Sequence, residues 1–482
     1  MGKGQLSKVH IYPAPQNEHL SPDFDVSVNG KPVPVYPCRV SAVPLNQVWP
    51  GYQRPVNQTE LASFVSIEAG GPVTLTILCP RNFTSVVVRP LSINVSAIVK
   101  DQHIQLALPG PGQYTLEIDG WHHALHVFID PPEGEIISPD DPGVLYFAPG
   151  IHHTGRVELK DNQTVYVAGG AVVYGSFYGE GVNNIRLLGR GIVDGSQFER
   201  GEGGGAIRLL DCSGITVNGL ILRDPDVWCC SLFGCRDAEL SNLKLVGLWR
   251  YNADGIDLCN SQNIRVRDCF VRAFDDCIVL KGLKQVHSKQ GASFGMRPVQ
   301  NIQVERCVLW NDWGRALEIG AETSSPEFAR IVFKDCDIIR TTHIAMDIQH
   351  GDRANIHDIV FDNIRLEVDD FNMRPKLQES RDEVYITDQH DDYCPQLMVI
   401  IIQQNPYSKD GIPGIVRDIT FRDITVHSRL LPQSSFTGFD ETHTVQGVTI
   451  INLKHNNQVC MDAQQAGLMM NAYVSGVEFV AE

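Results

Sequence analysis

An apolar residue, a polar residue and a second apolar residue recur along the chain at Ile185, Ile215, Ala238, Ile264, Ile302, Ile331, Ile359, Ile419, Val448 and Val477. The steps between them are 30, 23, 26, 38, 29, 28, 60, 29 and 29 residues. Alternation of this kind describes strands, and a near-constant step of about 20 to 50 residues is the mark of a repeat architecture. One such unit cannot bury its own inward face, so the stack must supply the core. The expectation is an all-β chain whose larger part is a right-handed parallel β-helix. The two long steps place insertions at 283–300 and 367–415, where loops leave the coils and build the wall of a binding face.

Residues before the repeat follow a different grammar. Short alternating runs at Phe64 to Glu68, Val73 to Cys79, Ser85 to Val88, Ile104 to Leu108, Tyr114 to Ile118 and Leu125 to Ile129, with an Asn29-Gly30 hairpin turn, predict a small β-sandwich that caps or flanks the first coils. The Pro- and Asp-rich stretch from Asp130 to Pro142 marks the boundary. The expected domains are therefore 1–135, sandwich-like, and 136–482, solenoid.

A net charge of −17 argues against nucleic acid or an anionic membrane as partner. The N-terminus lacks the apolar centre of a secretory signal, and there is no apolar run of about eighteen residues. A cytoplasmic chain is expected, or a secreted one if a signal has been removed; self-association is left open. The thirteen cysteines show neither disulfide nor zinc spacing and read as buried thiols. His287, His343, His350 and His390 lack metal-ligand spacing, so neither a metal nor another cofactor is expected.

Asp254 stands twenty-one and twenty-two residues before Asp275 and Asp276, about one short coil. Adjacent strands lie about 4.8 Å apart, so the three carboxylates are expected to stack as one patch on the outer surface. Like charges resist ionising together, which raises one pKa and keeps another low. A lone Asp-Asp pair is more often a solvated turn than a catalytic one. The flanking residues decide between the two.

Asn252-Ala253-Asp254-Gly255, then Phe274-Asp275-Asp276-Cys277 and the apolar run Ile278 to Lys281, resemble the N-T-D-G and G-D-D-C blocks of family 28 glycoside hydrolases, the polygalacturonases. Leu145 to Gly175 resembles the first coils of the same enzymes, and Gly219 to Pro225 with Trp228 and Cys235 resembles a third block. The resemblance covers about residues 140 to 365. The β-domain ahead of the solenoid looks like the arrangement of family 49 dextranases. The resemblance implies an inverting hydrolase of α-linked sugars with Asp275 as general acid and with Asp254 and Asp276 holding the attacking water. Spacing alone does not assign these roles, since 4.8 Å stacking is nearer the retaining distance of about 5 to 5.5 Å.

Two departures bear on substrate. Arg315 stands where the family's G-H-G histidine would be, in Trp313-Gly314-Arg315-Ala316-Leu317-Glu318, and the coil from His343 to His350 has no counterpart of the R-I-K cations that hold galacturonate. A carboxylate-binding site wants a fixed cation. A neutral or differently charged carbohydrate, cut in exo fashion or as a short oligosaccharide, is therefore expected. Substrate-binding candidates are Lys281, Arg315, Glu318, Asn252, Trp249, Trp313 and Asp347. Tyr251 and Trp310 also flank the acidic blocks. For each there is a plainer alternative: a structural ion pair for Lys281, a solvated turn acid for Glu318 or Asp347, core packing for the aromatics. The rival functions are a polysaccharide lyase or glycosyl transferase on the same scaffold, and a noncatalytic glycan-binding solenoid.

Overall fold

The computed structural model describes residues 8–47, 53–287, 293–387 and 392–481. Among them the fold is all-β, with two single-turn 3₁₀ segments and no helix long and apolar enough to cross a membrane. His390 lies outside the described residues.

The ten repeat positions form one continuous ladder. Ile185 pairs with Ile215, then Ala238, Ile264, Ile302, Ile331, Ile359, Ile419, Val448 and Val477, each on the next coil. This parallel sheet runs from Val144–Phe147 to Val474–Val480, and a second, longer parallel sheet completes each turn of the right-handed β-helix. The residue preceding each of the ten lies in the left-handed region. It is Asn, Asp or Gly at nine coils and Arg330 at the tenth, with φ between 55° and 66°. Only those residue types adopt that conformation cheaply, and the kink turns the following aliphatic side chain inward. The exposed amides also stack: Asn263 donates to Asp237 at 2.9 Å and Asn301 donates to Asn263 at 2.9 Å.

The N-terminal domain is a two-sheet sandwich. One sheet contains Tyr36–Ser41, Thr59–Ala69, Leu125–Asp130, Gly112–Ile118 and Val86–Arg89; the other contains Asp25–Val28, Val73–Leu78 and His103–Leu108. Inward residues such as Val65, Ile67, Leu75, Ile77, Leu106 and Val127 form its own core. Its last strand ends at Asp130, and the first solenoid strand begins at Val144.

The sandwich flanks the solenoid instead of covering its end. Phe64 and Phe128 on its outer face pack against a column of coil residues that includes Val172, Ile192, Ile221, Phe270 and Val308. Each fully buried phenylalanine stabilises this contact by about 1.5–3 kcal/mol. Lys244 occupies the same column between Ile221 and Phe270, is fully buried, and is held by Asp130 of the sandwich. Breaking such a buried pair costs about 3–5 kcal/mol, so this charge also fixes the register of docking. The cysteines are free thiols, all buried except the half-buried Cys394.

Candidate active site

Two consecutive coils deliver the acids. Asp254 sits in the turn between Lys244–Leu248 and Ile256–Cys259, and Asp275 and Asp276 sit in the turn between Phe270–Ala273 and Ile278–Gly282. Ile256 pairs with Ile278, which sets Asp254 level with Asp276, and the Gly255 amide donates to the Asp276 carbonyl at 2.8 Å. The next coil closes over them at Gly314. A Cβ there would lie 2.7 Å from the carboxylate oxygens of both Asp275 and Asp276, so any side chain larger than hydrogen would displace the acids.

The acids are recessed rather than displayed on an open surface. Asp254 is 1% exposed, Asp275 7% and Asp276 6%. The expected patch on the outer surface is thus a recess.

The Lys281 ammonium lies 3.0 Å from Asp254, 3.6 Å from Asp257 and 3.9 Å from Asp276, and 4.3 Å from the centre of the Trp228 ring. Burial opposes its charge, but Asp254, Glu322, Asp257 and Asp276 outweigh burial and hold it protonated well above the usual lysine range. Arg315 donates its backbone N–H to Asp276 at 3.1 Å, while its guanidinium lies 3.3 Å from Asp347 and 4.0 Å from Glu318 and Asp276.

These surroundings separate the carboxylates. Burial, then Asp276 and Asp254, push Asp275 well above the usual carboxylate range, with Arg315 and Lys281 only partly opposing. Its charged form is therefore disfavoured. Burial also raises Asp254, but Lys281 pulls it back to about 6. Asp276 receives the Arg315 amide and faces two cations. A carboxyl whose charged form is opposed by burial and by its neighbours thus stands beside Asp254, which the Lys281 ammonium favours as an anion, the division that acid–base chemistry at one bond requires.

The remaining candidates divide in their placement. Glu318 and Asp347 share a row with Asp257 across the pairs Asp257 to Val279, Val279 to Glu318 and Glu318 to Asp347. Burial raises Glu318 strongly and Asp347 to about 6. Asn252 is half-buried, with φ 52°, and accepts from Arg200 at 2.9 Å. Trp313 is half-buried; it stacks on Phe274, lies edge-on to His343 and donates its indole N–H to the Lys376 carbonyl at 3.1 Å.

Trp249 does not offer a sugar platform. It is 5% exposed, donates to Asp224 at 2.8 Å and is flanked by Arg39 and Arg250. Tyr251 and Trp310 are fully buried packing residues. The cause is the sandwich, which covers the side of the coils on which they lie.

Several site residues went unread in the sequence. Asp257 is fully buried, and burial followed by the adjacent Asp254 raises it far above the usual range. Strand alternation from the inward Ile256 and Leu258 could have found it. Arg200 and Tyr407 come from loops whose course no local pattern reveals, and Glu322 stands at the end of the strand Arg315–Thr323. Tyr407 is half-exposed, and Asp275 and Glu322 add to burial in raising its pKa. Its loop is tied down by Asp352, which accepts the amides of Lys409 and Asp410 at 2.6 and 2.8 Å.

Five buried carboxylate oxygens here have no hydrogen-bond donor among the described residues: Asp254 Oδ1, both oxygens of Asp257, Glu318 Oε2 and Asp347 Oδ1. Such acceptors cost about 1–3 kcal/mol each when unpaired. Their concentration beside Asp275 suits a ligand rich in hydroxyl donors. Among the described residues no group of three His, Cys, Asp or Glu is arranged to hold a metal ion.

Residues 154–372 match the family model of glycosyl hydrolases family 28. The matched segment contains both acid-bearing turns. A probable rhamnogalacturonase A of Aspergillus oryzae is 22% identical over 33% of this chain and 30% of its own length. Polygalacturonase QRT2 of Arabidopsis thaliana is 23% identical over 44% of this chain and 47% of its own. The chain therefore matches less than half the length of these curated relatives. Dex49A from Penicillium minioluteum covers 98% of this chain and 96% of its own with a TM-score of 0.65 at 15% identity. That likeness is one of fold, and it takes in the sandwich as well as residues 154–372. The exopolygalacturonase of Thermotoga maritima covers 70% of this chain and 84% of its own with a TM-score of 0.51 at 13% identity. The family match and the two fold likenesses all take in the β-helix.

Proposed function

We propose that the protein is an inverting glycoside hydrolase that cleaves an α-linked, largely uncharged oligosaccharide, acting from a chain end or on short substrates. Asp275 donates its proton to the glycosidic oxygen as the C1–O bond breaks. A water held by Asp254 and Asp276 attacks C1 from the opposite face and gives up its proton to that carboxylate pair. Glu318 and Asp347, steered by Arg315, accept sugar hydroxyls, and Lys281 keeps Asp254 available as an anion.

The observation that carries this reading is the recessed cluster of Asp254, Asp275 and Asp276 beside carboxylate oxygens that lack donors. Such a wall offers acceptors to hydroxyls and no spare cation to a uronate: Asp347, Glu318 and Asp276 already surround Arg315, and Lys281 is shared among three acids. Neither cation is left to grip a carboxylate. The names of the curated relatives include rhamnogalacturonases, so a neutral sugar on one side of the cut and a uronate on the other belong in the substrate panel.

The test is cleavage of a panel of α-linked oligosaccharides with the first-formed anomer read by NMR. A β-product is expected. A first-formed α-product would exclude inversion, an unsaturated product would show a lyase, and binding without any cleavage would leave a glycan-binding protein.

A further inference from the structure

The N-terminal sandwich sends one cation to the underside of the acid-bearing turns. Arg54, 1% exposed, donates from Nη1 to the Trp249 carbonyl at 2.9 Å, from Nε to Gln58 Oε1 at 3.1 Å, and from Nη2 to Ser41 Oγ at 2.8 Å and the Val43 carbonyl at 2.7 Å. Its guanidinium carbon lies 4.0 Å from the centre of the Phe274 ring and 6.0 Å from that of Tyr251. Among the described residues no carboxylate pairs with it. Its anchors on the solenoid are thus a carbonyl at the start of the turn that carries Asp254 and the aromatic face of the residue next to Asp275. Gln58 adds a second link, since its side-chain oxygen also accepts from the Tyr251 hydroxyl at 3.4 Å.

We propose that Arg54 is a positioning residue for catalysis: it holds the 249–254 turn and the 274–276 turn at a fixed separation, so that the sandwich completes the active site as well as stabilising the coils. A buried arginine without an acid is costly to keep. Simple docking of two domains is already served along the same interface by the apolar column and by the Lys244–Asp130 pair. Arg54 stands apart from that column, under the one place where two turns must meet to within an ångström. The planar fork of arginine suits the task, because one rigid group reaches a carbonyl and a ring face together. This inference rests on the hydrolase reading for its kinetic test.

The experiment compares Arg54→Met and Arg54→Lys with the parent protein. Arg54→Met is expected to lower kcat by about 10²-fold, the cost of an ångström-scale misplacement, with little change in KM. Its alkaline limb should move to lower pH, because Asp275 is no longer pressed against Asp254 and Asp276. Arg54→Lys should recover only part of kcat. Gln58→Met, a milder loosening of the same contact, should move both quantities in the same direction and serves if Arg54→Met does not fold. Unchanged kcat and pH profile with a lowered melting temperature would make Arg54 a domain clamp only. Amide hydrogen exchange at Gly255 and Cys277 gives a readout that needs no substrate. Faster exchange in Arg54→Met is expected, and unaltered protection there would overturn the proposal even if the parent cleaved no glycan.

Discussion

Replacing Lys281 by Met removes the ammonium that lies 3.0 Å from Asp254 while keeping a chain of similar length over the Trp228 ring. Two unit charges about 4 Å apart at an effective dielectric of about 20 attract by about 4 kcal/mol. At about 1.36 kcal/mol per pH unit, this amounts to roughly three pH units of support for the Asp254 anion, which Lys281 holds at about 6 against burial. Removing it should carry the acidic limb of the pH–rate profile upward by about three pH units. At neutral pH the rate should fall by about 10²-fold, because nearly all Asp254 is then protonated, and it should partly recover in alkaline buffer until Asp275 loses its proton. Initial rates on a cleaved oligosaccharide from about pH 4 to about pH 10 measure this, with circular dichroism confirming the fold at each pH. If Lys281→Met is slower by the same factor at every pH, with the acidic limb unmoved, then Asp254 is not the titrating group and Lys281 acts by touching substrate or by packing.

Asp275→Asn preserves shape but removes the proton donor, so kcat on natural glycosides should fall by about 10²–10⁴-fold, and far less on aryl glycosides with good leaving groups; near-parent rates on the former would remove Asp275 from its role. Asp254 and Asp347 have folded pKa values near 6 against 3.8 ordinarily; the stability they contribute is complete below the lower value and lost as pH rises through the higher one. The melting temperature should therefore fall between about pH 4 and about pH 6, and Asp254→Asn should flatten part of that slope; a rise over this interval would contradict the burial argument. Polygalacturonate should be a poor substrate, and a rapid viscosity drop ahead of reducing-end release would show that the acid-lined wall does admit a chain of carboxylates.

The stack of coils was legible in the sequence because every coil faces the same physical demand. An aliphatic side chain must point inward at the same place on each turn, so Ile185 through Val477 repeat a single local rule. The Asn, Asp or Gly before nine of the ten is a second signal of the same kind. It makes the kink that aims the aliphatic residue, and it would have located the coils without reference to any family. The spacing from Asp254 to Asp275 and Asp276 was informative for the same reason, since one coil of separation becomes one strand of distance.

The recess around those acids was not legible, because it depends on loops and on docking. Asp257 becomes part of the site only once Lys281 and Asp254 are seen beside it, although strand alternation pointed to its outward face. Arg200 and Tyr407 arrive on excursions from the coils whose course is set by contacts such as Asp352 with the 409–410 amides, not by period. Trp249 looked like a sugar platform from its position near the acids, yet the sandwich covers it. Arg54 lies 195 residues before Trp249, whose carbonyl it holds. A repeat is a local constraint applied many times, and any window of the chain displays it. Where the sandwich rests on the solenoid is decided by the sum of Phe64, Phe128, Lys244 with Asp130 and Arg54 in their tertiary places, and no window of the chain contains them together.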